Sequence, residues 1–151
     1  MTIMPADFQA ALDNYAQVFA ALTPENLHTT LPQVFAPQAK FKDPFNEVVG
    51  LEKIMGIFEH MYATLDAPHF VITHTAQKGM VGYIHWHFHF QLKGQVQPQT
   101  LEGLSRIVFN EQHQVIEHID YWDAGAAIYA KIPLLGWGVR WVAKKLSAQQ
   151  G

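Results

Sequence analysis

Along residues 6–22, apolar side chains recur at Phe8, Leu12, Tyr15, Phe19 and Leu22. Steps of three and four place them on one face of an amphipathic helix. Thr23-Pro24 then offers an N-cap followed by proline at a first helical position, predicting a short second helix limited by Pro32. The helical period returns over 51–65 with Leu51, Ile54, Ile57, Phe58, Met61 and Leu65, between Gly50 and Pro68. From residue 69 the period changes to two. Residues 70–75 predict a strand running toward a turn at Gly79. Ile84, Trp86, Phe88 and Phe90 alternate with His85, His87, His89 and Gln91, the pattern of a half-buried strand. Residues 100–109 and 115–122 predict two more strands around a polar turn at 110–114. Helices followed by strands imply an α+β fold with an antiparallel sheet. The tail returns to helix over 123–131, breaks at Ile132-Pro133 and Gly136, and resumes over 137–147.

A length of 151 residues without a linker or repeat predicts a single domain, 1–151, carrying a C-terminal helical tail over 124–151. Charged residues supply only 15% of the chain, against roughly 25% in a typical soluble domain. Part of the surface is therefore expected to be covered by a second copy. The absence of cysteine removes disulfides, thiol nucleophiles and thiolate metal sites. The start has neither a basic segment nor a long apolar one, so no signal peptide is expected. No apolar run reaches the roughly 18 residues of a membrane span. A pI of about 6.3 without a basic stripe argues against nucleic acid, and a cytoplasmic location is expected. Nine histidines stand against ten lysines and arginines, and protonating all nine would move the formal charge from −3 to +6.

The order helix, short helix, Phe41-Lys-Asp43-Pro-Phe45, Val48-Val-Gly50, helix, then strands ending in Asp120-Tyr-Trp-Asp123 resembles the nuclear transport factor 2-like superfamily. Within it, the chain is similar to SnoaL-like and ketosteroid-isomerase-like proteins over about residues 6–123. The resemblance implies a cystatin-like curved antiparallel sheet wrapped around N-terminal helices. Together they form a cone with an apolar pocket. Isomerases, cyclases, dehydratases, hydrolases and binding modules share that cone, so fold alone does not select an activity.

Asp43 in Asp43-Pro44-Phe45 matches the base of the isomerase-like members, and a carboxylate at the mouth of an apolar pocket suits proton abstraction beside a carbonyl. Its plain alternative is a turn residue before Pro44. Ketosteroid isomerase also needs an oxyanion hole made by a tyrosine and a protonated aspartate. Here those places fall on Phe19, which cannot donate, and on Ser105, a weak neutral substitute. Loss of one such donor typically costs about 10²–10³ in rate, so the steroid isomerase mechanism is not expected.

Residues two apart on a strand share a face, so His118, Asp120 and Trp122 point together, and the resemblance sends that face into the pocket. An imidazole oriented by a carboxylate suits general acid–base work. A satisfied buried pair that orders the sheet is the alternative. The expected ligand is a small hydrophobic or aromatic molecule, walled by Tyr15, Phe19, Phe58, Trp86, Phe88, Phe90, Ser105 and Trp122. Asp43, His118 and Asp120 are the candidate catalytic groups of a cofactor-independent isomerase, dehydratase or hydrolase. A non-catalytic binding or interaction module is the other reading.

His85, His87 and His89 invite a metal. Successive members lie about 6.8 Å apart and the outer two about 13.6 Å apart along an ideal strand, so the three cannot share one ion, and no metal is expected. If their apolar neighbours line the pocket, these histidines occupy the opposite sheet face, which the resemblance makes a homodimer interface. The basic amphipathic segment with Trp137, Arg140, Trp141, Lys144 and Lys145 is expected to pack against protein rather than bind membrane.

Overall fold

The first apolar period becomes α1 (Pro5–Ala20), with Phe8, Leu12, Tyr15, Ala16 and Phe19 buried. The computed structural model describes residues 5–127, 141 and 144–146. The second helix, α2 (Leu27–Val34), begins later than the Thr23-Pro24 cap predicts and runs past Pro32 to Val34. Thr23 and Asn26 account for the late start. The Thr23 amide donates to Asn26 Oδ1 at 2.8 Å, and the Asn26 amide donates to Thr23 Oγ1 at 3.2 Å. This reciprocal pair closes a turn ahead of the helix. Strand β1 (Phe35–Lys42) follows directly and pairs with the short β2 (Glu47–Val49). Gly50, at φ 107°, caps α3 (Leu51–Thr64) in a conformation that L side chains rarely adopt.

Four long strands complete the sheet: β3 (Leu65–Lys78), β4 (Val81–Leu92), β5 (Pro98–Phe109) and β6 (Val115–Trp122). The six strands lie in the order β2-β1-β6-β5-β4-β3. The pairs β2–β1, β3–β4 and β4–β5 are antiparallel, whereas β1 runs parallel to β6. That parallel pair departs from the purely antiparallel sheet expected. A long connection carries the chain from β1 to β6 through β2, α3 and three further strands, which frees the two strands to share a direction.

The alternation along β4 survives as two faces. Gly82, Ile84, Trp86, Phe88 and Phe90 are buried, while His85, His87 and His89 are half-buried on the other face. Helix α1 crosses the inner face so closely that a Cβ on Gly82 would lie 2.5 Å from Leu12 Cδ1. Leu12, Leu31, Ala39, Ile54, Ile107 and Val115 are fully excluded from solvent between the helices and this face. Burial of this apolar surface is the main stabilising contribution.

Two compact units are present, Met1–Tyr121 and Trp122–Gly151. The second contains α4 (Ala124–Ala127). It also contains Trp141, whose ring centre lies 5.5 Å from the Lys145 ammonium. The predicted break at 132–136, with Trp137 and Arg140, lies outside the described residues. Among the described residues no helix is long and apolar enough to cross a membrane.

Candidate functional site

His118 and Asp120 occupy one face of β6 and meet directly, with His118 Nε2 2.6 Å from Asp120 Oδ1. The carboxylate can only accept, so Nε2 carries the proton, and in the neutral ring Nδ1 is then an acceptor. The Tyr15 hydroxyl, from α1, donates to that Nδ1 at 2.6 Å. Burial, and then the negative charge of Asp120, push the Tyr15 hydroxyl well above its ordinary pKa, so Tyr15 keeps the proton it donates. On the other side of Asp120, the Ser105 hydroxyl of β5 donates to the same Oδ1. Trp86 Nε1–H of β4 donates to Ser105 Oγ at 2.8 Å. A continuous chain of hydrogen bonds thus links Trp86, Ser105, Asp120, His118 and Tyr15 across α1 and three strands.

The surroundings of this chain are apolar. The His118 ring stacks on Phe41 at 4.7 Å and 26°, with Phe19 at 5.6 Å and Tyr15 at 5.8 Å. His118 and Ser105 are the buried polar residues of the described core. A buried polar group without a partner costs about 1–3 kcal/mol, and each member here is satisfied by the next. Both bonds to Asp120 fall on Oδ1, and no hydrogen bond among the described residues engages Oδ2.

Asp120, His118 and Ser105 line a cavity whose other walls are Phe19, Phe58, Phe70, Ile72, Ile84 and Trp86. Its volume is about 20 Å³, room for about one ordered water. Aromatic rings set that size, so a larger occupant requires Phe19, Phe58, Phe70 or Trp86 to turn aside. Trp86 lies flat across β5, because its partner in the ladder is Gly103. A Cβ there would fall 2.2 Å from Trp86 Cη2.

Phe19, Phe58, Trp86, Ser105, His118 and Asp120 are therefore brought together as the sequence predicts. Tyr15 stands behind His118 as its hydrogen-bond partner rather than in the wall. Phe88 and Phe90 are buried on β4 but continue an aromatic stack with Phe70 instead of facing the cavity. Trp122 closes β6 and opens the second unit, whereas the cavity walls come from the first. Asp43 is elsewhere. It sits in the β1–β2 turn, where Oδ1 accepts the amides of Phe45 and Asn46, both at 2.7 Å. The Asn46 side chain donates to Oδ2 at 3.0 Å. Its carboxylate is absorbed by the turn and is not among the cavity walls. The walls not singled out from sequence are Phe70, Ile72 and Ile84. The alternation of β4 already placed Ile84 beside Trp86, and the strand over 70–75 put Phe70 and Ile72 on one face.

A curved sheet with helices across its inner face, and a polar chain ending at an apolar cavity, is the architecture of the nuclear transport factor 2-like, ketosteroid-isomerase-like class. A family model described as the SnoaL-like domain matches residues 15–118, and the chain belongs to that family. Asp120 falls just beyond the matched segment. A ketosteroid isomerase-like protein from Catenulispora acidiphila, solved with trimethylamine, is 19% identical over 81% of this chain and 95% of its own, with a TM-score of 0.64. An NTF2-like protein of unknown function from Burkholderia pseudomallei is 12% identical over 81% and 95%, at 0.69. A candidate SnoaL-like polyketide cyclase from Shewanella putrefaciens is 15% identical over 87% and 99%, at 0.67. At these identities the likeness is one of fold. No curated protein matches the sequence.

Proposed function

We propose that the protein binds a small apolar or aromatic molecule in the cavity and that Asp120 is the acid–base group acting on it. The carrying observation is the arrangement around Asp120: Oδ1 is held by Ser105 and His118, and among the described residues nothing bonds to Oδ2 of this carboxylate, which lines an apolar wall. This reverses the roles expected from sequence. Both nitrogens of His118 are engaged, so the imidazole positions the carboxylate, and Asp43 serves its turn. A carboxylate held in this way can take a proton from carbon beside a carbonyl and return it to a neighbouring atom, the step common to cofactor-independent isomerisation and dehydration.

A second reading, a non-catalytic carrier or interaction module, is favoured by one specific feature. Every N–H and O–H donor of the polar chain is already committed to another member, from Trp86 to Ser105, Ser105 to Asp120, His118 to Asp120 and Tyr15 to His118. A developing oxyanion needs donors aimed at it. Phe19 stands in the place where the isomerase resemblance calls for a tyrosine.

Native mass spectrometry of the protein as purified should detect a bound small molecule, and that molecule should then be incubated with protein in D₂O. Deuterium entry with the unmodified protein and its loss with Asp120→Asn, binding being retained, is the expected result. Binding without exchange in either protein would establish the carrier. Failure to bind any apolar compound would sink both readings.

The outer sheet face, with half-buried His85, His87 and His89 flanked by exposed Val71, Tyr83 and Leu104, is proposed as the contact with a second copy. Cytoplasmic residence belongs to the same proposal.

A further inference from the structure

The outer sheet face carries more imidazoles than β4 alone supplies. His69 on β3 lies directly opposite His89 on β4, and the two rings stack at 5.1 Å and 29°. His87 follows at 6.4 Å and 28° from His89. Neighbours on one face of a strand are about 6.8 Å apart along the backbone, whereas directly opposed residues on paired strands are about 4.5–5.5 Å apart. In both rings the same nitrogen is already engaged. His69 Nδ1–H donates to the Ala67 carbonyl at 3.0 Å, and His89 Nδ1 is 2.9 Å from Thr100 Oγ1. The Ala67 carbonyl can only accept, so neutral His69 carries its proton on Nδ1 and its lone pair on Nε2. No hydrogen bond among the described residues engages Nε2 of either ring. Ligating histidines characteristically donate their second nitrogen to a carbonyl or another oxygen, which fixes the tautomer and the ring orientation.

The backbone is shaped around this contact. Strand β3 shifts register between Asp66 and His69, and Ala67 takes φ 49°, a left-handed conformation that alanine rarely adopts. Bulges of this kind re-aim a side chain, and here the bulged segment turns the Ala67 carbonyl onto His69. A second shift, between Ile72 and His74, sets the pair in register.

We propose that His69 and His89 form a cross-strand clip for a late first-row divalent metal ion, bound through the two Nε2 atoms. Bonds of about 2.0–2.1 Å need the two nitrogens within roughly 4.2 Å, which rings centred 5.1 Å apart reach by tilting toward each other. Among the described residues no group of three or more histidine, aspartate or glutamate side chains is placed to hold one ion. Water, or a side chain of the second copy proposed for this face, therefore fills the remaining positions, and the preference follows imidazole chemistry, with Cu(II) ahead of Ni(II) and Zn(II).

Titration of tag-free protein with Cu(II), Ni(II) and Zn(II) by calorimetry tests the clip. One ion per chain in that order of affinity is expected. His69→Gln and His89→Gln should each weaken Cu(II) binding on the order of a hundredfold, because either removes the chelating second ligand. His28→Gln should leave it unchanged, since His28 pairs with Glu59 at 2.7 Å away from this face. In the unmodified protein, Cu(II) should broaden the ring signals of His69 and His89 before those of the other histidines. Absence of saturable binding, binding unchanged in the double variant, or broadening that begins elsewhere overturns the assignment.

Discussion

The Tyr15 hydroxyl donates to His118 Nδ1 at 2.6 Å, joining the first helix to the last strand across 103 positions of chain. Hydrophobic contact alone would let α1 slide or rotate on the sheet; this bond permits one placement. It also satisfies the Nδ1 lone pair of the tautomer that Asp120 fixes from the other side of the ring. Tyr15→Phe keeps the ring and its packing but leaves Nδ1 buried without a donor. A loss of about 1–3 kcal/mol is expected, read as a lower urea midpoint with unchanged slope. An unaltered midpoint would show that the bond contributes nothing net.

The same hydroxyl, with that of Tyr62, makes the fold sensitive to alkali. Burial and Asp120 raise Tyr15 well above its ordinary value; burial, and then Glu25, push Tyr62 up to about 12. Above about pH 10 an unfolded tyrosine releases its proton while the folded one keeps it. The native state then binds more protons, so stability falls as pH rises, and below about pH 10 the contribution is fully present. Denaturation midpoints should decline from about pH 10 upward. Tyr62→Phe should flatten the decline between the ordinary value and about 12. Midpoints that stay level across that window would contradict the placement of both rings.

Gly103 controls the cavity from beneath. Any side chain there meets the Trp86 indole, with a Cβ 2.2 Å from Cη2 and 2.3 Å from Cζ2. Gly103→Ala must therefore lift Trp86 off β5 and stretch its bond to Ser105. Overpacking of this kind typically costs about 1–3 kcal/mol. The expected signature is a shift in tryptophan emission together with weaker binding of whatever small molecule co-purifies. Retained emission and binding would mean that the indole does not shape the site.

Much of this arrangement was legible because one-sided burial leaves a period in the chain. The three- and four-residue steps of α1 and α3, and the alternation of β4, each mark a surface that must face the core. The pair His118 and Asp120 followed from the two-residue repeat of a strand. What sequence did not show depends on contacts between distant segments. Tyr15 read as wall, because nothing local reveals that its hydroxyl meets an imidazole. Asp43 read as a base, because its turn bonds to Phe45 and Asn46 were only the plain alternative. Nothing local marks the partner of His69, since a regular hairpin through Gly79 would pair it with Phe90. The extra residue near Thr73 moves it opposite His89, and a bulge leaves no mark in hydropathy.

The low charge of the chain returns at the outer face of β3, β4 and β5. Val71, Tyr83 and Leu104 are 43%, 38% and 39% exposed there among the half-buried histidines. On the proposal made above, these apolar side chains belong to the contact with a second copy. A C₂ contact brings the same patch of both copies together, so one substitution acts twice. Leu104→Glu therefore places two carboxylates at the contact, where an uncompensated buried charge is strongly unfavourable. Light scattering should give a dimer mass for the unmodified protein and a monomer mass for Leu104→Glu, with circular dichroism unchanged. The residue points away from the cavity, so small-molecule binding should survive the substitution. A monomer mass for the unmodified protein, or a dimer that withstands Leu104→Glu, would move the second copy off this face.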